Sequence, residues 1–347
     1  GQENGIELDG VRNERLRLGL LSGPERRQAE FIKDDRQAAE QEWYSVEVED
    51  VQLSKKKSNL ITRRQAILSI ATISAGAFIK PSTIFCSSVK DKIRFAVIGD
   101  WGTGDRDGVG TAKQMFASHQ RTPFDFVIAA GDNIYPNGSG RYFSKNFEQP
   151  FADLIKDRVN FYAVLGNHDV ESGRQDQCQY PMFNMSGQNY YKLERGNGLA
   201  DFFMLDSTDF GLTQTSWLES SLRASRAKWK IAVFHHPIYS SGKRHGSSLG
   251  LRKKLEPLFT RYGVNVAFSG HDHIYERTMP QQGIQYFVTG AGGKTRRGDV
   301  DLKSSIRAES FDEDNHFMLI ELDDKQVEFQ AISEAGVVVD SGTIKQD

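Results

Sequence analysis

"FVIAAGDNIY", residues 126–135, runs five apolar residues into a glycine, a carboxylate and, three positions further on, a phenol. The run Phe126–Ala130 reads as a buried strand. The polar pair behind it has two readings. Asp132 is a helix cap and Tyr135 a packed aromatic, or both side chains are displayed on the loop at the strand's end. The choice turns on whether other strands end in the same way.

Short β-rich runs recur at Ile93–Ile98, Phe126–Ala130, Asn160–Leu165, Phe202–Leu205, Lys230–Phe234, Val264–Phe268 and Gln285–Thr289. Helical patterns fall between several of them, at Gly110–Gln120, Phe143–Lys156, Trp217–Ala227 and Leu249–Tyr262. This alternation predicts an α/β core, to which "HFMLIELDDKQVEFQAISEAGVVVDSGTI", residues 316–344, adds three antiparallel strands joined by tight turns. Residues 92–347 read as one domain.

Five of these strands end in side chains that offer oxygen or nitrogen donors. Asp100 follows in "GDWG", Asp132 and Tyr135 in "GDNIY", Asn167 and His168 in "GNHD", His235 and His236 in "HHP", and His271 and His273 in "SGHDH". Each has a plain structural alternative, since aspartates cap helices, asparagine closes turns and a lone histidine is usually just hydrogen-bonded. Capping explains five coincident strand ends poorly, whereas ligands in open α/β sheets do sit at the carboxyl ends of the strands. In "GHDH" the two histidines stand two apart, so on a strand both would face one side. Asp100, Asp132, Tyr135, Asn167, His235, His271 and His273 are more donors than one six-coordinate ion uses while keeping room for water. Two ions about 3.5 to 4 Å apart, sharing Asp132, fit the number. Oxygen and imidazole donors without thiolate suit iron, manganese or zinc.

Bulk composition limits the alternatives. A chain of 347 residues, 38% hydrophobic, can bury at least one large core, and its net charge of −2 exerts no general pull on nucleic acid or anionic lipid. An anionic substrate must therefore be attracted locally. Two cysteines, Cys86 and Cys178, exclude a thiolate zinc cluster and a disulfide-stapled scaffold; unpaired thiols are the expected state.

In this order, "GDWG", "GDNIY", "GNHD", "HHP" and "GHDH" resemble the calcineurin-like metallophosphoesterases, and among them the purple acid phosphatases of the small tartrate-resistant type. Tyr135 makes the likeness specific, because related phosphatases and diesterases share the aspartate but usually lack the phenol. The resemblance spans about residues 93–345 and implies a four-layer α/β sandwich, two mixed β-sheets flanked by helices. It implies Fe(III) on Asp100, Tyr135 and His273, a divalent Fe(II), Zn or Mn ion on Asn167, His235 and His271, and Asp132 as the bridge. It further implies His168 as general acid, Asp169 orienting that imidazole, and His245 as a substrate-side histidine. The implied reaction is acid hydrolysis of small phosphate monoesters, with anhydrides as further substrates, by metal-activated hydroxide. Five cationic charges against two carboxylates and a phenolate leave a net local charge of about +2 to hold phosphate. The rivals are a phosphodiesterase or nucleotidase with a zinc or manganese pair, and a non-catalytic secreted binding module. Specificity is expected in the segments 170–191 and 294–315, read as loops over the site; Arg296, Arg297 and Arg307 could reach substrate phosphate there, solvated surface arginines being the plainer reading.

Residues 1–91 carry none of this resemblance and read as a largely disordered leader. Within it, "SKKKSNLITRRQAILSIATISAGAFIK" orders basic, apolar and small residues as a signal peptide does, and Arg63–Arg64 resembles a twin-arginine export signal over about residues 54–79. No Met precedes Met115, and a native start near Leu53 would give this signal an ordinary length. The expected location is periplasmic or secreted, with membrane contact only during export. Nothing in the sequence sets the oligomeric state.

Overall fold

A computed structural model describes residues 92–346. The expected leader, its export signal and Cys86 lie outside them. In chain order the strands are β1 (Ile93–Ile98), β2 (Phe126–Ala129), β3 (Asn160–Ala163), β4 (Tyr191–Arg195), β5 (Ala200–Met204), β6 (Trp229–Val233), β7 (Val266–Ser269), β8 (Tyr275–Thr278), β9 (Gln285–Thr289), β10 (Arg307–Phe311), β11 (His316–Leu322), β12 (Gln326–Ser333) and β13 (Val338–Lys345). The helices are α1 (Arg106–Arg121), α2 (Ala152–Lys156), α3 (Asp169–Ser172), α4 (Arg174–Gln179), α5 (Leu212–Ala224) and α6 (Leu249–Tyr262).

These strands form two mixed sheets. The first has the order β13-β12-β11-β1-β2-β3 and the second β10-β8-β9-β7-β6-β5-β4. Strands β1, β2 and β3 are parallel, as are β5, β6, β7 and β9. Parallel strands covered on both faces are predominantly apolar, which is why the central ones were legible. The sheets meet through aromatic rings. Phe95 of β1 packs edge-on against Phe202 of β5 at 5.1 Å, Phe126 of β2 against the same ring at 5.7 Å, and Phe329 of β12 against Phe287 of β9 at 4.9 Å. Such pairs contribute about 0.5–1.5 kcal/mol each beyond the area they bury. Leu218 and Leu222 of α5 and Leu251, Leu255 and Phe259 of α6 pack with Phe203, Leu205, Ala232 and Ala267 on the outer face of the second sheet. Ala112 and Met115 of α1 join the core of the first. The expected sandwich of two mixed sheets flanked by helices is present.

Register places the site. Ile98 pairs with Ala129, Ala129 with Ala163, and Val233 with Phe268, so the carboxyl ends of β1, β2 and β3 are level with one another, as are those of β6 and β7. Two expectations differ. The helix read over Phe143–Lys156 breaks into a wide helical turn at Ser144–Glu148 and the short α2, because Pro150 cannot continue the hydrogen-bond ladder and Phe147 and Phe151 turn in to pack on Trp101. The segments 170–191 and 294–315, read as loops, contain α3, α4 and β10; β10 is half-buried throughout and takes its form from pairing with β8. Cys178 is buried with a free thiol that donates to Asn189 Oδ1 at 3.3 Å. No helix among the described residues is long and apolar enough to cross a membrane.

Candidate metal centre

Three of the seven sequence-selected residues stand in left-handed backbone: Asp100 at φ 54°, Asp132 at φ 49° and His271 at φ 71°. Each such conformation costs on the order of 1–3 kcal/mol in a non-glycine residue, so the surroundings must hold it. They do. Asp100 N donates to Gly131 O at 3.0 Å, and Gly293 N donates to Asp100 O at 3.0 Å. The glycine before each donor has a steric reason. A Cβ on Gly131, itself at φ 89°, would stand 2.6 Å from the His235 ring, and one on Gly270 would stand 2.4 Å from Asp100 Oδ2. Each loop is bare where a donor from another loop must pass.

Both aspartates divide their oxygens in the same way. Asp100 Oδ2 accepts from His271 N at 2.7 Å and Asp132 Oδ1 from His168 N at 2.9 Å, which leaves Asp100 Oδ1 and Asp132 Oδ2 facing inward. Tyr135 Oη lies 3.2 Å from Asp100 Oδ1, 3.1 Å from Asp132 Oδ2 and 3.4 Å from His273 Nε2. On the other side, His235 Nε2 lies 3.1 Å from Asn167 Oδ1 and 3.5 Å from Asp132 Oδ2. Asp132 Oδ2 therefore faces both groups. Donor atoms of Asp100, Asp132 and His235 all lie within 4.8 Å of one another. The Ala130 carbonyl, 3.0 Å from His235 Nδ1, accepts a hydrogen bond from it and leaves Nε2 directed at the centre. His271 and His273 sit on the turn after β7 rather than in a strand. His273 joins Asp100 and Tyr135, while the His271 ring packs 5.0 Å from that of His235.

The electrostatics are those of a site arranged for cations. Burial opposes the charge on Asp132, yet His235 beside it holds its carboxyl well below the usual carboxylate range. Burial likewise opposes a charged His235, and Asp132 and Asp100 overcome this, raising it to about 10. Burial, with Asp100 and Asp132, keeps the Tyr135 phenol far above its ordinary value. His271 is pushed down to about 2 by burial and by its histidine neighbours His235, His236 and His245. Two carboxylates, a phenol and two imidazoles with donor atoms 3.1–3.5 Å apart fit bound cations, which reverse these preferences and favour the anionic oxygens and neutral rings.

Asp169 requires a correction. It does not orient the His168 imidazole. It is fully buried and accepts from Gly166 N, Asn133 N, Ile134 N, Asn133 Nδ2 and Gln177 Nε2 at 2.6–3.1 Å, tying the loop after β2 to the loop after β3. Its side chain points back under the loop because it opens α3, whereas His168 projects outward. The Pro136 carbonyl, 2.7 Å from His168 Nδ1, holds that ring instead. His245 packs 4.2 Å from the His271 ring, and Arg296 Nη1 donates to its Nε2 at 3.1 Å. Arg297 and Arg307 turn to the carbonyls of Glu313 and Leu302. Sequence reading missed Ser207, whose hydroxyl accepts from His235 N and His236 N and sits 2.9 Å from His236 Nδ1. It follows β5, so the strand-end rule applied to one more strand would have found it.

Residues 93–275 match the family described as calcineurin-like phosphoesterase. Tartrate-resistant acid phosphatase type 5 of Rattus norvegicus is 30% identical over 249 residues, covering 61% of this chain and 76% of its own length. Purple acid phosphatase 17 of Arabidopsis thaliana is 30% identical over 242 residues, covering 60% of this chain and 71% of its own. Among solved structures, GAP50, described as the anchor in the inner membrane complex of Plasmodium, shares the fold at 23% identity with a TM-score of 0.65, covering 74% of this chain and 89% of its own. The chain thus belongs to the calcineurin-like phosphoesterase family, beside its purple and tartrate-resistant acid phosphatases.

Proposed function

We propose that the protein is an acid phosphatase hydrolysing small phosphate monoesters at a two-metal centre. Fe(III) would be held by Asp100, Tyr135 and His273, a divalent ion by Asn167, His235 and His271, and Asp132 would be shared. One observation carries this reading. Asp132 Oδ2 lies 3.1 Å from Tyr135 Oη and 3.5 Å from His235 Nε2, so a single carboxylate oxygen serves both donor groups. When bound, such a pair supplies Lewis acidity to phosphate oxygens and lowers the pKa of water. A phenol placed between two carboxylates supports iron(III), for which a phenolate is a well-matched hard donor.

The remaining work falls to the chain's own side chains. The Pro136 carbonyl can only accept, so His168 Nδ1 carries a proton, and Nε2 is the atom left to exchange one with the departing ester oxygen. His168 is partly exposed on a cavity wall shared with Tyr135 and His273, within reach of a substrate seated at the centre. His245, its Nε2 engaged by Arg296, positions that arginine and buttresses His271.

Metal analysis and an absorption spectrum of natively purified protein test the assignment, together with hydrolysis of 4-nitrophenyl phosphate below neutral pH. Iron, visible colour and turnover are expected, with the colour lost in Tyr135→Phe. An active but colourless, iron-free wild type would point to a zinc or manganese diesterase or nucleotidase instead. A metal-loaded protein without turnover would lead to the second, non-catalytic reading. Export through Arg63–Arg64 is proposed separately: Arg63→Lys with Arg64→Lys should retain the precursor inside the cell, and undiminished export would remove the idea.

A further inference from the structure

We propose that His236 donates a hydrogen bond to the substrate phosphate on the His271 side of the centre, its imidazole held by Ser207 in the tautomer that carries the proton on Nε2. The inference rests on the phosphatase reading and adds to it a substrate contact, His236, and a positioning residue, Ser207.

The strands bring the pair together. Met204 of β5 pairs with Val233 of β6, so Ser207 and His236 each stand three residues beyond a paired strand end. The loop that carries Ser207 is clamped from α5, where Gln214 Nε2 donates to Asp206 O at 2.9 Å and Gln214 Oε1 accepts from Asp206 N at 2.9 Å. Thr208 N donates to Asp206 Oδ1 at 2.9 Å on the other side. Ser207 Oγ, fixed between them, accepts from His235 N at 3.2 Å and from His236 N at 3.0 Å. A hydroxyl has two lone pairs and a single proton. With both lone pairs taken, the proton is what Ser207 has left for His236 Nδ1, 2.9 Å away. Nδ1 is therefore an acceptor, and the hydrogen of the ring sits on Nε2.

This tautomer decides what His236 can do. Its lone pair is engaged by Ser207, so it is no ligand to a cation although it adjoins His235 in sequence. The ring packs 4.5 Å from that of His271 and 5.1 Å from that of His235, whereas His168 packs 4.7 Å from Tyr135. The two imidazoles thus stand against different halves of the centre. Nε2 of His236 has no partner among the described residues and the side chain is only half-buried, so its N–H is offered to a ligand rather than sealed in the core. A neutral N–H neither competes for cations nor repels them, and it pairs most strongly with an anionic oxygen such as that of phosphate.

The test reads inorganic phosphate binding and 4-nitrophenyl phosphate turnover separately, on metal-loaded full-length protein. His236→Phe keeps a ring against His271 and removes the N–H. It should raise the Kd for phosphate and the KM about tenfold or more, with kcat changed less and with metal content and absorption spectrum as in wild type. His236→Gln, whose amide N–H reaches about as far as Nε2, should recover most of that affinity. Ser207→Ala, which releases the ring to either tautomer, should give a smaller loss in the same direction. Nitrogen NMR of the zinc-loaded wild type should find Nδ1 of His236 bare and Nε2 protonated. A proton on Nδ1, an unchanged phosphate Kd in His236→Phe, a loss that His236→Gln does not recover, or metal lost from His236→Phe would each remove the proposal. If the expected changes in phosphate affinity appear but wild type does not hydrolyse 4-nitrophenyl phosphate, the donor stands and the phosphatase reading falls.

Discussion

The two sheets bring different chemistry to the centre. Loops after β1, β2 and β3 of the first supply the oxygen donors Asp100, Asp132, Tyr135 and Asn167, whereas loops after β6 and β7 of the second supply only imidazoles, His235, His271 and His273. Neither sheet alone makes a binding group of both kinds. Tyr135 and Asp100 meet His273 from the other sheet, and Asn167 and Asp132 meet His235. The centre is therefore an interface property. The sheets that contribute to it are packed together through Phe95, Phe126 and Phe202.

The sharpest way to break this division is at the residue that touches both contributions. Asp132→Ala should abolish turnover of 4-nitrophenyl phosphate by at least about 10³-fold and leave the purified protein short of both metals, as metal analysis would reveal. Retention of a full metal complement would mean that the two halves do not share this carboxylate. His168→Ala probes the oxygen-rich side alone, from which no ligand is removed. A fall in kcat of about 10²-fold with metal content intact is expected, and the loss should shrink for 4-nitrophenyl phosphate, whose leaving group needs little protonation. An equal loss for alkyl and aryl esters would argue that His168 positions substrate instead.

The smallest expected effect concerns the seam between the sheets, away from the centre. His316 of β11 is fully buried, its Nε2 lies 3.1 Å from Thr289 Oγ1 of β9, and burial pushes it down to about 3. Its folded pKa lies below the unfolded value, so the unfolded chain binds one more proton as pH falls from about 6.5 to 3. That proton uptake costs stability across this window at about 1.4 kcal/mol per pH unit. His316→Gln should flatten the acid limb of the stability profile by about one proton, measurable by denaturant titration between pH 4 and 6. An unchanged slope would mean that the seam admits a charged imidazole.

Legibility followed what each residue depends on. Strand β2 announced itself as an unbroken apolar run, and β1, β6 and β9 by the buried apolar cores FAVI, IAV and YFV, because burial on both faces leaves little room for polar residues. Strands β4, β8 and β10 did not, since "YKLER", "YERT" and "RAESF" mix charge with apolar residues and owe their form to a neighbour. Asp169 was noticed but misassigned: adjacency in sequence suggested His168, while the opening turn of α3 directs the carboxylate to backbone N–H groups of another loop. The Pro136 carbonyl was invisible because a backbone acceptor has no sequence signature.

The sequence by itself determined which atoms can serve as donors and that each stands at the end of a strand, because residue chemistry and hydrophobic period are local properties. Tertiary structure decided which donors share a neighbourhood. It split His271 from His273, turned Asp132 Oδ2 towards both groups and set Asp169 beneath the loops. Those outcomes depend on left-handed backbone at Asp100, Asp132 and His271 and on the packing of one sheet upon the other, and such strain is tolerated only where distant parts of the chain hold it in place.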